Sequence, residues 1–142
     1  MRIAQRIAIV VIGMLAAVTA VAAPASAVTP PPTEWNEAQA YGMDPATDGC
    51  MLNTYAQACF RKDGDIWFVK DMESDGYPTV VYWQNHYNGD FYRQGICITH
   101  LSYGNWGTCN KDYHEGSLVS FRACRYIDGE LKNCTDWKGI NA

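Results

Sequence analysis

Six cysteines, Cys50, Cys59, Cys97, Cys109, Cys124 and Cys134, lie in the last two thirds of a short chain whose N-terminus is built for export. An even number of thiols in an exported chain reads as a disulfide framework. Covalent staples let a small chain hold a fold that its modest core alone would support poorly. Zinc is the rival reading, and it is weak. No Cys-x-x-Cys occurs, and His86, His100 and His114 form no ligand pair with the cysteines.

The export signal has three parts. Arg2 and Arg6 supply a positive start, residues 7–23 are apolar and uncharged, and Ala25-Ser26-Ala27 is a small-residue cleavage site. As a membrane anchor the apolar run is at the short limit for a spanning helix. Residues 1–27 are therefore read as a signal peptide, and the mature protein as secreted and extracellular, with no membrane attachment after cleavage. The full chain has a formal net charge of −4, and both signal arginines leave with the signal. What remains is more acidic and lacks clustered cations, which argues against nucleic acid.

Residues 28–49 read as a flexible arm. Pro30, Pro31 and Pro32 favour extended geometry. The following stretch holds no Lys or Arg and too little apolar surface to fold alone. A brief helix over 33–41, capped by Thr33, is one expectation. Trp35 and Tyr41 interrupt the polar composition. Either they pack back on the domain or they anchor the arm in a partner's groove.

From residue 50 to 142 the pattern is all-β: an antiparallel β-sandwich of about seven strands, stapled by disulfides. Strands are expected over 57–61, 65–71, 79–87, 90–99, 107–111, 117–127 and 131–137, with turns at Gly-containing breaks between them. Asn88-Gly89 is the strongest hairpin signal, because both residues tolerate positive φ. A two-residue turn there sets Tyr87 opposite Asp90, and hence Val81 opposite Ile96 and Trp83 opposite Gln94. Alternation then assigns Thr79, Val81, Trp83, Ile96 and Ile98 to the core face. Val119, Phe121 and Ala123 point in, and Cys97 and Cys124 point out, away from any bridge between sheets. Among the fifteen connectivities open to six cysteines, pairing of neighbours is favoured: Cys50 with Cys59, Cys97 with Cys109, Cys124 with Cys134.

No catalytic constellation stands out. The three histidines fall in separate elements, and Ser102, Ser117 and Ser120 lack a nucleophile-elbow setting. Acidic residues 71, 73 and 75 followed by Gly76 mimic half a calcium loop, but Tyr82 stands where the closing Glu belongs. No metal, cofactor or catalytic residue is assigned. Aromatic residues are the unusual feature. Trp67 and Trp83 read as packing. Trp106, with Tyr103 in the same Gly-rich loop between Cys97 and Cys109, either contacts a glycan or partner or plugs the open end of the sandwich.

Several short motifs carry a resemblance: Gly64-Asp65 before an aromatic strand, Asp75-Gly76, Trp83, Arg93-x-Gly95-x-Cys97, Gly104-x-Trp106-x-x-Cys109, Glu115-Gly116, Phe121-Arg122-x-Cys124 and Cys134-x-x-Trp137. Over 59–137 the chain resembles small exported actinobacterial six-cysteine proteins. Within them it is most similar to the adaptor subunits of umbrella toxin particles, secreted antibacterial assemblies. The resemblance implies a non-enzymatic adaptor that links a repeat-containing toxin stalk to a lectin subunit with a degenerate trypsin-like domain, whose cleft would take the N-terminal arm. The alternatives are a secreted enzyme inhibitor and a carbohydrate-binding module. A trypsin-directed inhibitor would present an exposed Lys or Arg, and the arm has neither.

Overall fold

A computed structural model describes residues 29–142; the expected signal peptide and cleavage site lie outside the described residues. Eleven strands run in order: β1 (Thr33–Glu37), β2 (Gln39–Tyr41), β3 (Gly49–Leu52), β4 (Ala56–Arg61), β5 (Ile66–Asp71), β6 (Thr79–Tyr87), β7 (Asp90–Thr99), β8 (Trp106–Asn110), β9 (Leu118–Ile127), β10 (Glu130–Lys132) and β11 (Lys138–Asn141). They form two packed sheets, ordered β1-β7-β6-β9-β10, with β11 also on β9, and β2-β8-β5-β4-β3. The fold is an all-β, disulfide-linked sandwich, as the strand pattern predicts.

The Asn-Gly turn forms as its chemistry requires. Asn88 and Gly89 adopt φ of 51° and 86°, and Tyr87 sits opposite Asp90. The register does not persist, however, because a bulge interrupts the ladder at Asn85 and His86. One extra residue on β7 shifts all later pairs, so Val81 faces Cys97 and Trp83 faces Gly95. Ile96 and Ile98 therefore leave the expected core face. They join Val80, Cys124, Tyr126 and Leu131 in a small cluster on the outside of that sheet. Cys97 turns inward, and its bond to Cys109 joins β7 of one sheet to β8 of the other. The expected partner was right, and the expected outward position was wrong.

The main core contains Phe60, Trp67, Val69, Val81, Trp83, Val119, Phe121 and Ala123, all fully buried. Burying each of the larger side chains here stabilises by about 1.5–3 kcal/mol. Gly95 is needed where it stands, since a Cβ there would collide with the ring of its cross-strand neighbour Trp83. The other two disulfides also join the expected neighbours. Cys50 and Cys59 face each other across β3 and β4, and Cys134 is tied to Cys124 on β9.

The larger correction concerns residues 33–41. They form neither a helix nor an arm free of sheet contacts. Strand β1 pairs in parallel with β7, Thr33 against Gln94 through Glu37 against Ile98. Ala38 then donates to the Ile98 carbonyl at 2.8 Å, and β2 pairs antiparallel with β8. The segment adds an edge strand to each sheet and crosses between them. Its low apolar content forbids folding alone, but an edge strand of a formed sheet supplies hydrogen bonds that the isolated segment lacks.

Candidate functional site

The loop between Cys97 and Cys109 keeps only part of its sequence-assigned role. Trp106 is 8% exposed, and its indole N–H donates to Asp44 Oδ1 at 2.9 Å. Lys70 lies 5.0 Å from its ring centre, and Phe68 meets it edge-on. Its ring is thus enclosed rather than offered to a glycan or partner. Tyr103, by contrast, is 59% exposed. Tyr41 packs edge-on against Phe68 at 5.1 Å, beside Trp106 and away from Trp35. Trp35 is 47% exposed, with one edge on Tyr126 at 5.3 Å between ring centres. The four aromatic candidates do not converge on one site.

Tyr103 borders an open cleft of about 310 Å³ at the end of the sandwich where β5 and β7 finish. Asp71, Tyr77, Pro78, Thr99 and His100 also line it. Both aromatic walls are held in place. The Tyr103 loop is pinned by Gly104 N–H donating to the Asp71 carbonyl at 2.9 Å and Asn105 N–H to the Ser102 carbonyl at 3.1 Å. Tyr77 N–H donates to Asp75 Oδ1 at 2.9 Å. The Arg125 guanidinium sits between Tyr77 and Tyr55, 4.9 and 4.5 Å from their ring centres, and pairs with Asp75. Sequence reasoning missed Tyr77. The only signal near it, the acidic run before Gly76, pointed toward calcium. Two of those carboxylates instead accept from local N–H groups, Asp71 Oδ1 from Glu73 at 3.0 Å and Asp75 Oδ1 from Tyr77. Among the described residues no group of three His, Cys, Asp or Glu is placed to hold a metal ion. Burial pushes the Asp71 carboxyl above its usual range, against the pull of the Glu73 N–H.

At the opposite end charge fills the interior, and outside it Tyr92, Arg93, Asp112, Tyr113 and His114 border a second open cleft of about 320 Å³. Glu34 on β1 accepts from Arg93 at 2.6 and 3.1 Å and from Lys111 at 2.7 Å. The Lys111 side chain is 5% exposed; it also meets Asn36 and lies 4.9 Å from the Trp83 ring centre. The Arg93 hydrogen bond, helped by Lys111, holds the Glu34 carboxyl below its usual range despite burial. Tyr113 completes the plug, its oxygen accepting from Trp67 Nε1 at 2.9 Å, and burial raises its phenol far up.

The histidines occupy separate surroundings. His86 stacks on Phe91 and His114 on Tyr87, while His100 Nε2 lies 3.5 Å from Glu37. Compared with protein-family models, curated proteins and solved structures, the chain matches none.

Proposed function

We propose that this is a secreted, non-enzymatic adaptor that binds other exported proteins through β1 and the residues leading into it. One observation carries the reading. Strand β1 is bonded on one side only, and Trp35 stands half exposed at its centre. An unpaired strand edge with a protruding aromatic suits strand addition by a partner, with main-chain hydrogen bonds for affinity and the indole as anchor. Gln94 Nε2 donates to the Pro31 carbonyl at 2.6 Å, which holds the proline run against the sheet and lowers the entropy lost on docking. Three disulfides in a small domain suit an oxidising extracellular setting. By the resemblance, the partners are a trypsin-like lectin subunit and a repeat-containing toxin stalk.

The test is capture from culture supernatant with the mature protein, then a binding isotherm with the captured partner. Trp35→Ala should weaken that binding at least about tenfold. Tyr92→Ala, an exposed aromatic on β7 near the Asn-Gly turn, should leave it unchanged. Equal affinity for both variants would remove β1 from the interface.

A further inference from the structure

We propose that the cleft between Tyr77 and Tyr103 is a binding site for one ring of a neutral glycan, independent of the protein-binding edge at β1. At about 310 Å³ it falls at the small end of ligand pockets, the size of a single sugar unit rather than a peptide. Its two aromatic walls are 43% and 59% exposed, so both offer ring surface to a ligand. Faces of this kind stack on the C–H faces of pyranose rings.

The polar lining matches the same chemistry. Ser74, Tyr77, Ser102 and Tyr103 line the cleft with hydroxyl-bearing side chains, while the buried Thr99 hydroxyl accepts from Leu101 N–H. A hydroxyl both donates and accepts, as sugar hydroxyls do. Asp71 adds a carboxylate acceptor, and its backbone carbonyl anchors the Tyr103 loop through Gly104. The Arg125 charge near the cleft is already taken by Asp75 and by the Tyr55 and Tyr77 rings, so it offers no free cation for an anionic ligand. The Tyr77 ring and the backbone of the Tyr103 loop are held before any ligand arrives, which lowers the cost of binding. A cationic amine is the rival occupant, since carboxylate plus aromatic rings also suits an ammonium group. Four hydroxyl-bearing side chains against one carboxylate, itself held toward its protonated form by burial, favour the sugar.

The experiment is an NMR titration of the mature, oxidised protein. The probes are the tetramers of cello-, chito-, xylo- and manno-oligosaccharides, with tetramethylammonium chloride as the competing chemistry. At least one sugar series at millimolar concentration should shift the amides of Tyr77, Ser102 and Gly104 saturably, with an affinity unchanged by added salt. Tyr103→Ala should weaken it about tenfold or more, and Tyr77→Phe, which keeps the ring and the Arg125 contact, only slightly. Trp35→Ala should leave sugar binding intact, which separates this site from the β1 interface. Failure of all four series to move those amides would overturn the proposal. So would saturable binding of tetramethylammonium alone, or sugar shifts that survive Tyr103→Ala.

Discussion

The two ends of the sandwich are built on the same central strands and handle polar groups in opposite ways. At one end Glu34, Arg93 and Lys111 satisfy one another against the Trp83 ring, and Glu34 is held below its usual pKa by those cations. At the other, Asp71 borders a cleft, and burial pushes its carboxyl up. Compensated charge closes the interior of the first end, beneath the cleft that Arg93 and Tyr113 border, and stabilises it. At the other end a carboxyl penalised by burial lies beside exposed tyrosines, and the Glu73 N–H and the Arg125 charge offset only part of its cost. The segment 33–41 spans both ends: it brings Glu34 to the closed one and passes Glu37, 3.5 Å from His100, near the open one.

Removing residues 29–41 is the harshest way to break that contrast. It deletes β1 and β2 and leaves the Lys111 ammonium buried without its carboxylate. The expected loss is on the order of 5 kcal/mol or more, comparable to the whole stability of a small domain. The shortened protein should show no cooperative thermal transition by near-ultraviolet circular dichroism. A melting temperature within a few degrees of the full mature protein would mean that the closed end holds without Glu34.

Glu34→Gln probes the same end without removing backbone. Arg93 and Lys111 keep a neutral acceptor but lose the counter-charge, and with solvent screening of the one-third-exposed carboxylate the expected cost is about 1–2 kcal/mol near neutral pH. The pH dependence has a fixed sign. Because the folded pKa is lowered, the contribution of Glu34 is fully present above the ordinary value of 4.5 and is lost as pH falls through the folded value. Urea denaturation at several pH values should therefore show the two proteins converging in acid and diverging above it. A constant gap down to strongly acidic pH would show that the carboxylate charge does not hold this end together.

How much of this was visible in sequence depends on the range of the interactions. Strands β4 to β9 begin and end within about one residue of expectation, because alternation and turn residues are local signals. The neighbour disulfides were legible for the same reason. The register of β7 was not. Gly95, Ile96, Cys97, Ile98 and Thr99 are all buried, so both faces of that strand are apolar and alternation cannot reveal a bulge. The expected strand 131–137 stops at Lys132, the end of β10; residues 133–137 form no strand, and β11 beyond them was not expected. Between β10 and β11 Asn133 adopts φ of 51° and its carbonyl accepts from Asn53, 80 residues earlier. Strands β1 and β2 were invisible because their partners lie on β7 and β8, far along the chain. The site divides likewise. A Gly-rich loop advertised the exposed Tyr103, but the group that covers Trp106 is Asp44, 62 residues away. Tyr77 joins Tyr103 only because β5 and β7 end side by side with the loop between them.

The smallest expected effect is at the open end, and it has the opposite sign. In Asp71→Asn the amide oxygen can still accept from the Glu73 N–H, while the charge that burial penalises is gone. The folded pKa of Asp71 is raised above the ordinary 3.8, so the folded protein binds that proton more tightly than the unfolded chain. Its stabilising contribution is complete below the unfolded value and is lost as pH rises through the folded one. Near neutral pH the carboxylate is therefore a net cost, offset in part by the nearby Arg125 charge. Asp71→Asn should raise stability at neutral pH by under about 1 kcal/mol and bring no gain in strong acid. Paired with Glu34→Gln, it yields two carboxyl-to-amide changes of similar shape and opposite direction, one at each end. Should Asp71→Asn destabilise as strongly as Glu34→Gln, Asp71 would be a structural partner rather than an uncompensated group, and the open end would be as tightly closed by charge as the other.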